Sequence, residues 1–256
     1  MQLGENILKL MEIAKEKGYT VEDLAETAEE REERKRQEEA EIQTALVKGN
    51  NDKYWTKFSL WPNGIPQKKF TFMNWVPGKQ QDEEAAGKIA RKALELTKRL
   101  VNEEFNVTLA GFPGVGKTAL ALAMGEYLRS VGKSVMMVST AELKYLYSRS
   151  FNAEDIEERL RFTLAKMKEV DVLILDDFGT EGDLNAQGNV RVRSDMRDDM
   201  YRLSNARINK TTIITTNNRI DELATMYDPK VADRMIPKDK NYRIVFAGMK
   251  SVRRTG

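Results

Sequence analysis

Gly111-Phe112-Pro113-Gly114-Val115-Gly116-Lys117-Thr118 follows the apolar run Val107-Thr108-Leu109-Ala110 and runs into Ala119-Leu120-Ala121-Leu122-Ala123-Met124. The octet fits G-x-x-x-x-G-K-[ST], a spacing that ordinary residue usage produces by chance in about one chain in a hundred. Its context is the one such a loop requires, an apolar strand before it and a helix directly after it. The glycines allow backbone N–H groups to turn inward around a polyphosphate. The start of the following helix adds its positive dipole end. Lys117 is expected to reach the β- and γ-phosphates, and the Thr118 hydroxyl to ligate Mg²⁺. Gly111, Pro113, Gly114, Val115, Gly116, Lys117, Thr118 and Ala119 are therefore the candidate nucleotide-binding residues.

Further along, Val172-Leu-Ile-Leu-Asp176-Asp177 ends an apolar strand in two carboxylates. A terminal Asp alone is common in turns. One strand beyond a phosphate loop, Asp176 is expected to hold the water shell of Mg²⁺, and Asp177 to orient or deprotonate the attacking water. Thr211-Thr-Ile-Ile-Thr-Thr-Asn217-Asn218 has two readings, a plain turn or a strand that places the Asn217 amide by the γ-phosphate. The second requires this strand to lie beside the phosphate-loop strand. Arg234, in a short helix after Pro229, is either a surface residue or an arginine finger acting in trans on a neighbour's nucleotide. Arg253 and Arg254 are either a phosphate sensor or nucleic-acid contact, or part of a basic tail.

The rest of the chain supplies the frame. Helices are expected over 82–101, 117–131, 140–148, 154–168, 193–207 and 220–226, and strands over 106–110, 134–139, 171–176, 211–216 and 243–247. A polar loop is expected over 178–192. Five short apolar strands separated by helices imply a parallel sheet covered on both faces. Upstream, Leu3, Ile7, Leu8, Leu10, Met11 and Ala14 recur at helical spacing before Gly18. A second helix is expected from Thr20 to about Val47, broken by Gly49-Asn50-Asn51-Asp52. All three Trp residues fall within 51–80. That segment reads as a linker whose aromatics tuck against the main domain, or as a partner-docking or adenine-flanking strap. The expected organisation is an arm over 1–50, a linker over 51–80 and a main domain over 81–256.

Composition removes whole classes of chemistry. The chain has 256 residues, 41 % hydrophobic and 32 % charged, with no Cys and no His. Thiol nucleophiles, Cys- or His-ligated zinc and imidazole acid–base chemistry are excluded. Carboxylates, Lys, Arg, hydroxyls and an oxygen-held metal remain. No apolar run is long enough to span a bilayer. No export signal is evident, so the expected location is the cytoplasm, away from membranes. The net charge of +2 is uneven: −5 over 1–50, +7 over the remainder and +6 over 230–256. Between 140 and 162, cations and aromatics interleave, with Lys144, Tyr145 and Arg149 among them. This pattern suits single-stranded DNA, where bases stack and phosphates pair. A helix pair using its aromatics as core is the other reading.

Taken together, these residues resemble an AAA+ ATPase, and more narrowly the DnaC/DnaI-type replicative helicase loaders, with IstB transposition ATPases as close relatives. The resemblance covers roughly residues 70–255. It rests on Gly111–Thr118, Leu175-Asp-Asp-Phe-Gly-Thr-Glu181, Ile214-Thr-Thr-Asn217, Asp233-Arg-Met235 and Phe246-Ala-Gly-Met-Lys-Ser-Val-Arg253. It implies an ATP- and Mg²⁺-dependent switch that self-assembles into a ring or spiral. It also implies that the switch binds a hexameric replicative helicase through its N-terminal arm and single-stranded DNA through its ATPase body. An IstB-like helper acting on duplex DNA is the alternative. A C-terminal lid is expected to be small or missing. Asp177 stands where the family usually has Glu, one methylene longer, which implies slow hydrolysis.

Overall fold

The computed structural model describes residues 28–184 and 190–252, together with Ile13, Lys15 and Glu16. The helix expected over 3–17 falls almost wholly outside the described residues, as do Arg253 and Arg254. The chain divides into two units, Met1–Lys48 and Gly49–Gly256.

Helix α1 (Ala28–Lys53) begins in the first unit, where it is exposed from Glu29 to Lys48. Its residues Glu29 to Glu41 are almost all charged and cannot bury an apolar face. The helix does not stop at Gly49-Asn50-Asn51-Asp52, where a break is expected. It continues to Lys53 and passes directly into a single π-turn, Tyr54–Phe58. Tertiary bonds override the poor local propensity. Asn51 Nδ2 donates to Gly132 O at 2.7 Å, and Asp52 pairs with Arg129 at 2.9 Å.

The second unit is built on five parallel strands, β1 (Val107–Ala110), β2 (Val135–Ser139), β3 (Val172–Asp176), β6 (Thr211–Thr216) and β7 (Arg243–Val245), in the spatial order β2-β3-β6-β1-β7. Successive side chains alternate between faces. Val135, Met137, Val172, Ile174 and Ile213 join one core, with α2 (Glu83–Arg99) and α3 (Lys117–Ser130). Met136, Val138, Leu173, Leu175 and Ile214 join the other core. Helices α4 (Thr140–Arg149), α5 (Glu154–Glu169), α6 (Ser194–Ala206), α7 (Ile220–Met226) and α8 (Pro229–Met235) pack there. The expected polar loop over 178–192 contains a two-residue antiparallel ladder, β4 (Asp183–Leu184) with β5 (Val190–Arg191). Two residues a side are too few to carry a period in sequence. No described helix is long and apolar enough to cross a membrane.

The aromatic segment packs onto this unit. Trp61 is buried, and Trp55 meets it edge to face at 4.9 Å. Leu60 exchanges backbone bonds with Met137 O and Ser139 N, both at 2.8 Å. It thereby covers the open edge of β2, an edge that would otherwise invite another chain.

At the amino ends of the strands, Arg207 is 3 % exposed and donates to the carbonyls of Met167, Val170, Asp171 and Thr211 and to Thr212 Oγ1. This one guanidinium ties the end of α5 to β3 and β6. Removing it orphans several buried acceptors, each of which costs about 1–3 kcal/mol when left unpaired. Arg207→Leu is therefore expected to lose about 3–5 kcal/mol of stability, read as a lower urea midpoint.

Candidate nucleotide-binding site

Three strands end at one edge of the sheet. Ala110 lies in register with Thr216, and Leu175 with Ile214, so Gly111, Asp176 and Asn217 emerge side by side. The condition set for Asn217 is met, because β6 pairs directly with β1. The carboxyl edge of a parallel sheet is where such folds bind ligands.

The loop between β1 and α3 is shaped by its neighbours. Gly114 and Gly116 have φ of 81° and 102°, a region costly for other residues. A Cβ on Gly116 would stand 2.8 Å from the Trp75 ring, and one on Gly114 2.1 Å from Ser251 Oγ. Gln80 Nε2 donates to Val115 O at 2.9 Å, and Val252 N to Gly114 O at 3.0 Å. The outer carbonyls are thus engaged by the aromatic segment and by the chain after β7.

Lys117 Nζ donates to Gly111 O, Phe112 O and Asn217 Oδ1 at 2.8, 2.9 and 2.7 Å. Thr118 Oγ1 and Thr215 Oγ1 both donate to Asp176 Oδ1, at 2.8 and 2.7 Å. Asp176 is 3 % exposed. Burial pushes its carboxyl above the ordinary value, and the two hydroxyls with the Lys117 charge oppose that push. Asp177 has φ of 56°, a left-handed conformation that Asp tolerates better than most residues. It is held there by Asp177 N to Thr215 Oγ1 at 2.9 Å and by Thr140 Oγ1 to Asp177 O at 2.9 Å. Asn217 Nδ2 reaches Asp177 Oδ1 at 3.4 Å.

A cleft of about 810 Å³ opens over these groups. Its lining includes Gly114, Lys117, Thr118, Asp176, Asp177 and Asn217, and also Ile65, Pro66, Gln67, Lys68 and Phe70 of the aromatic segment. The hydroxyl and carboxylate of Thr118 and Asp176 are hard oxygen donors of the kind Mg²⁺ takes. No cluster of three acidic groups among the described residues could hold a metal alone, so phosphate oxygens would complete any such site. Sequence reasoning did not find Lys68, Thr140 or Thr215. The four threonines of a wholly buried β6 were the available signal, since buried hydroxyls need partners.

The remaining candidates lie elsewhere. Arg234 is on α8, and its carbonyl accepts from Asn106 Nδ2 at 2.9 Å, while Asn106 Oδ1 accepts from Thr212 N at 2.9 Å. That places its backbone at the amino edge of the sheet, opposite Gly111. Asp233 pairs with Lys238 at 2.7 Å. Lys144 pairs with Asp183 at 2.6 Å, Arg149 stands 5.6 Å from the Tyr145 ring centre, and Tyr145 is 52 % exposed. Tyr147, by contrast, is core and donates to Asp199 at 2.9 Å.

Glu181 closes the turn after Asp177. It is buried, and its Oε2 accepts from Gly179 N at 2.8 Å. Its Oε1 has no hydrogen-bond partner among the described residues. Burial pushes this carboxyl up to about 7, opposed by nearby amides, the Thr140 hydroxyl and the Lys144 charge. An unfolded Glu titrates near 4.3. Between the two values the folded chain keeps a proton that the unfolded chain releases. Stability therefore falls as pH rises through that window and stays lower above it. Glu181→Gln keeps an acceptor for Gly179 and cannot ionise. Melting from pH 5 to 8 should show the variant gaining on the parent by about 1–3 kcal/mol and levelling off above pH 7.

The IstB-like ATP binding protein family model matches residues 80–245. The replicative helicase loader DnaC of Buchnera aphidicola subsp. Acyrthosiphon pisum is 38 % identical over 98 residues, 36 % of this chain and 38 % of that protein. An insertion sequence IS21 putative ATP-binding protein of Pseudomonas aeruginosa is 31 % identical over 159 residues, 62 % of this chain and 51 % of that protein. The chain thus spans well under two thirds of the length of these relatives. The crystal structure of a DnaC helicase loader superposes with a TM-score of 0.50 at 22 % identity, covering 68 % of this chain and 97 % of that one. The model match takes in the strands, the phosphate loop and the Asp176–Asp177 pair, and the chain belongs to the IstB-like ATP-binding family, with an AAA+ fold.

Proposed function

We propose that this protein is an ATP-driven loader of a hexameric replicative DNA helicase, acting in the cytoplasm on single-stranded DNA. The observation that carries the ATP half is the gathering of Lys117, Thr118, Asp176, Asp177 and Asn217 at one sheet edge. On this reading ATP enters the cleft with its phosphates at the start of α3. Lys117 exchanges the carbonyl and amide oxygens of Gly111, Phe112 and Asn217 for phosphate oxygens, whose full negative charge meets the ammonium directly. Thr118 and Asp176 would hold Mg²⁺, which would supply neutralisation of phosphate charge. Asp177 orients or deprotonates the water that attacks the γ-phosphorus, and the bond to the β-phosphate oxygen breaks. Asn217, within reach of both Lys117 and Asp177, senses whether the γ-phosphate is there.

None of these groups supplies a cation from outside the loop. Arg234 is tied to the far edge of β1, about 13 Å away for a strand of four residues. That distance supports an action on the nucleotide of a neighbouring subunit in a ring or spiral. The helicase half of the proposal rests on the similarity to DnaC, with residues 1–50 as the contact. Lys144, Tyr145 and Arg149 are proposed to meet the DNA, and Arg253 or Arg254 to sense phosphate. The similarity to the IS21 protein favours a second reading, a transposition helper on duplex DNA.

Two measurements test this. The full chain should capture a replicative helicase and prefer single strands over duplex DNA, while a chain lacking 1–48 should bind ATP and lose the helicase. Retention by the shortened chain, or preference for duplex, would favour the second reading. Separately, Arg234→Ala and Asp177→Asn should each hydrolyse ATP poorly, the first by about 10³-fold. Mixed together they should recover turnover, because an Asp177→Asn subunit lends its intact arginine to the intact site beside it.

A further inference from the structure

Arg234 is held quite differently from Arg207. Arg207 is sunk among carbonyls, whereas Arg234 is half-buried and no carboxylate pairs with it among the described residues. Its neighbour Asp233 is taken by Lys238. Within its own helix Arg234 makes only a long bond, Nη1 to Lys230 O at 3.4 Å. What holds its head group is an aromatic face: the guanidinium carbon stands 5.1 Å from the ring centre of Tyr201 on α6.

Tyr201 is itself fixed, packed against the core that contains Leu203 and Val231. Lys230, one helical turn before Arg234, lies 5.9 Å from the same ring. Two like charges at this spacing repel. The negative face of the ring offsets that repulsion without neutralising either charge. The phenol oxygen feels the same neighbours: the Asn205 hydrogen bond first, then the Arg234 and Lys230 charges and a hydrogen bond from Arg234, draw it below its ordinary range. At the other end of the residue, Asn106 pins the Arg234 carbonyl to β6. The backbone is tied to the sheet and the head group to a ring, while the charge stays unspent.

Resting on the proposed action of Arg234 in trans, we propose that Tyr201 is the positioning residue of that arginine, presenting its guanidinium to the γ-phosphate bound by the next subunit. A carboxylate in the same place would hold the side chain equally well but cancel the charge it must deliver. The ring contact is worth a few-fold in equilibrium terms at an exposed site. Misplacing a group at a transferring phosphoryl costs more, up to about a hundredfold for 1 Å.

The test compares Tyr201→Leu, Tyr201→Phe and Arg234→Ala in the full chain, with ATP and single-stranded DNA present. Tyr201→Leu keeps the apolar packing and removes the ring. It should bind ATP with parental affinity, assemble, and lower kcat by about five- to a hundredfold. Tyr201→Phe keeps the ring and should hydrolyse within about twofold of the parent. The defect should also be directional. Tyr201→Leu mixed with Asp177→Asn should recover, since the latter carries a dead site but a correctly held arginine. If Tyr201→Leu does not fold, Tyr201→Met carries the same comparison. Normal turnover by Arg234→Ala would remove the trans reading and this inference with it. An impaired Arg234→Ala beside a fully active Tyr201→Leu would leave the trans reading standing and overturn the role of Tyr201. A Tyr201→Phe as slow as Tyr201→Leu, or a mixture that co-assembles without recovery, would overturn it too.

Discussion

One carboxylate oxygen, Asp176 Oδ1, accepts from Thr118 at 2.8 Å and from Thr215 at 2.7 Å. The two hydroxyls belong to α3 and β6, and the acceptor ends β3, so a single buried atom fixes where three elements meet. A carboxylate that is 3 % exposed is tolerated only because these bonds replace water. The next residue inherits the arrangement. Thr215 Oγ1 also accepts from Asp177 N, and Thr215 O accepts from Phe178 N at 2.8 Å. Asp177 is thereby held at φ of 56°, a conformation that persists only where surrounding bonds over-determine it. Its carboxylate faces Asn217, which in turn bonds Lys117. The candidate catalytic groups therefore form one connected network rather than separate side chains that happen to be close.

Much of this was legible from local pattern. The phosphate loop, the paired carboxylates and the five apolar runs each carry their own signal, because a parallel strand buried on both faces must be apolar throughout. The position of β6 beside β1 is a matter of topology, yet a polar Asn ending a buried strand already pointed to that edge. What was not legible depends on contacts between distant residues. Nothing local in Thr140 or Thr215 says which carbonyl or carboxylate each will meet. Gly49 to Asp52 read as a helix stop on propensity, and the bonds of Asn51 and Asp52 to the end of α3 reversed that reading. The stretch from Ile65 to Phe70 has no period at all, so its place at the cleft follows from anchors on either side of it, Leu60 and Trp61 before and Trp75 and Gln80 after.

The two arginines at the amino edge illustrate how one side chain serves opposite ends. Arg207 shares its charge among neutral acceptors that would otherwise be orphaned, and burial pulls it down to about 9. It is a structural tie, and its charge is a cost the surrounding carbonyls offset. Arg234 gives up most of those bonds and keeps a charge exposed to whatever approaches α8. The phosphate loop opens at the carboxyl edge of the same strands, a strand length away. A cation held at one edge and a phosphate cradle at the other are too far apart to meet within one chain, and on the proposed reading they meet when copies stack head to tail. Heterologous contacts of that kind generate rings or helical filaments according to whether the rotation closes. On the proposed reading, separating the two edges is what makes hydrolysis conditional on assembly. A monomer can then bind ATP and wait, and the short Asp177 carboxylate adds to that delay instead of working against it.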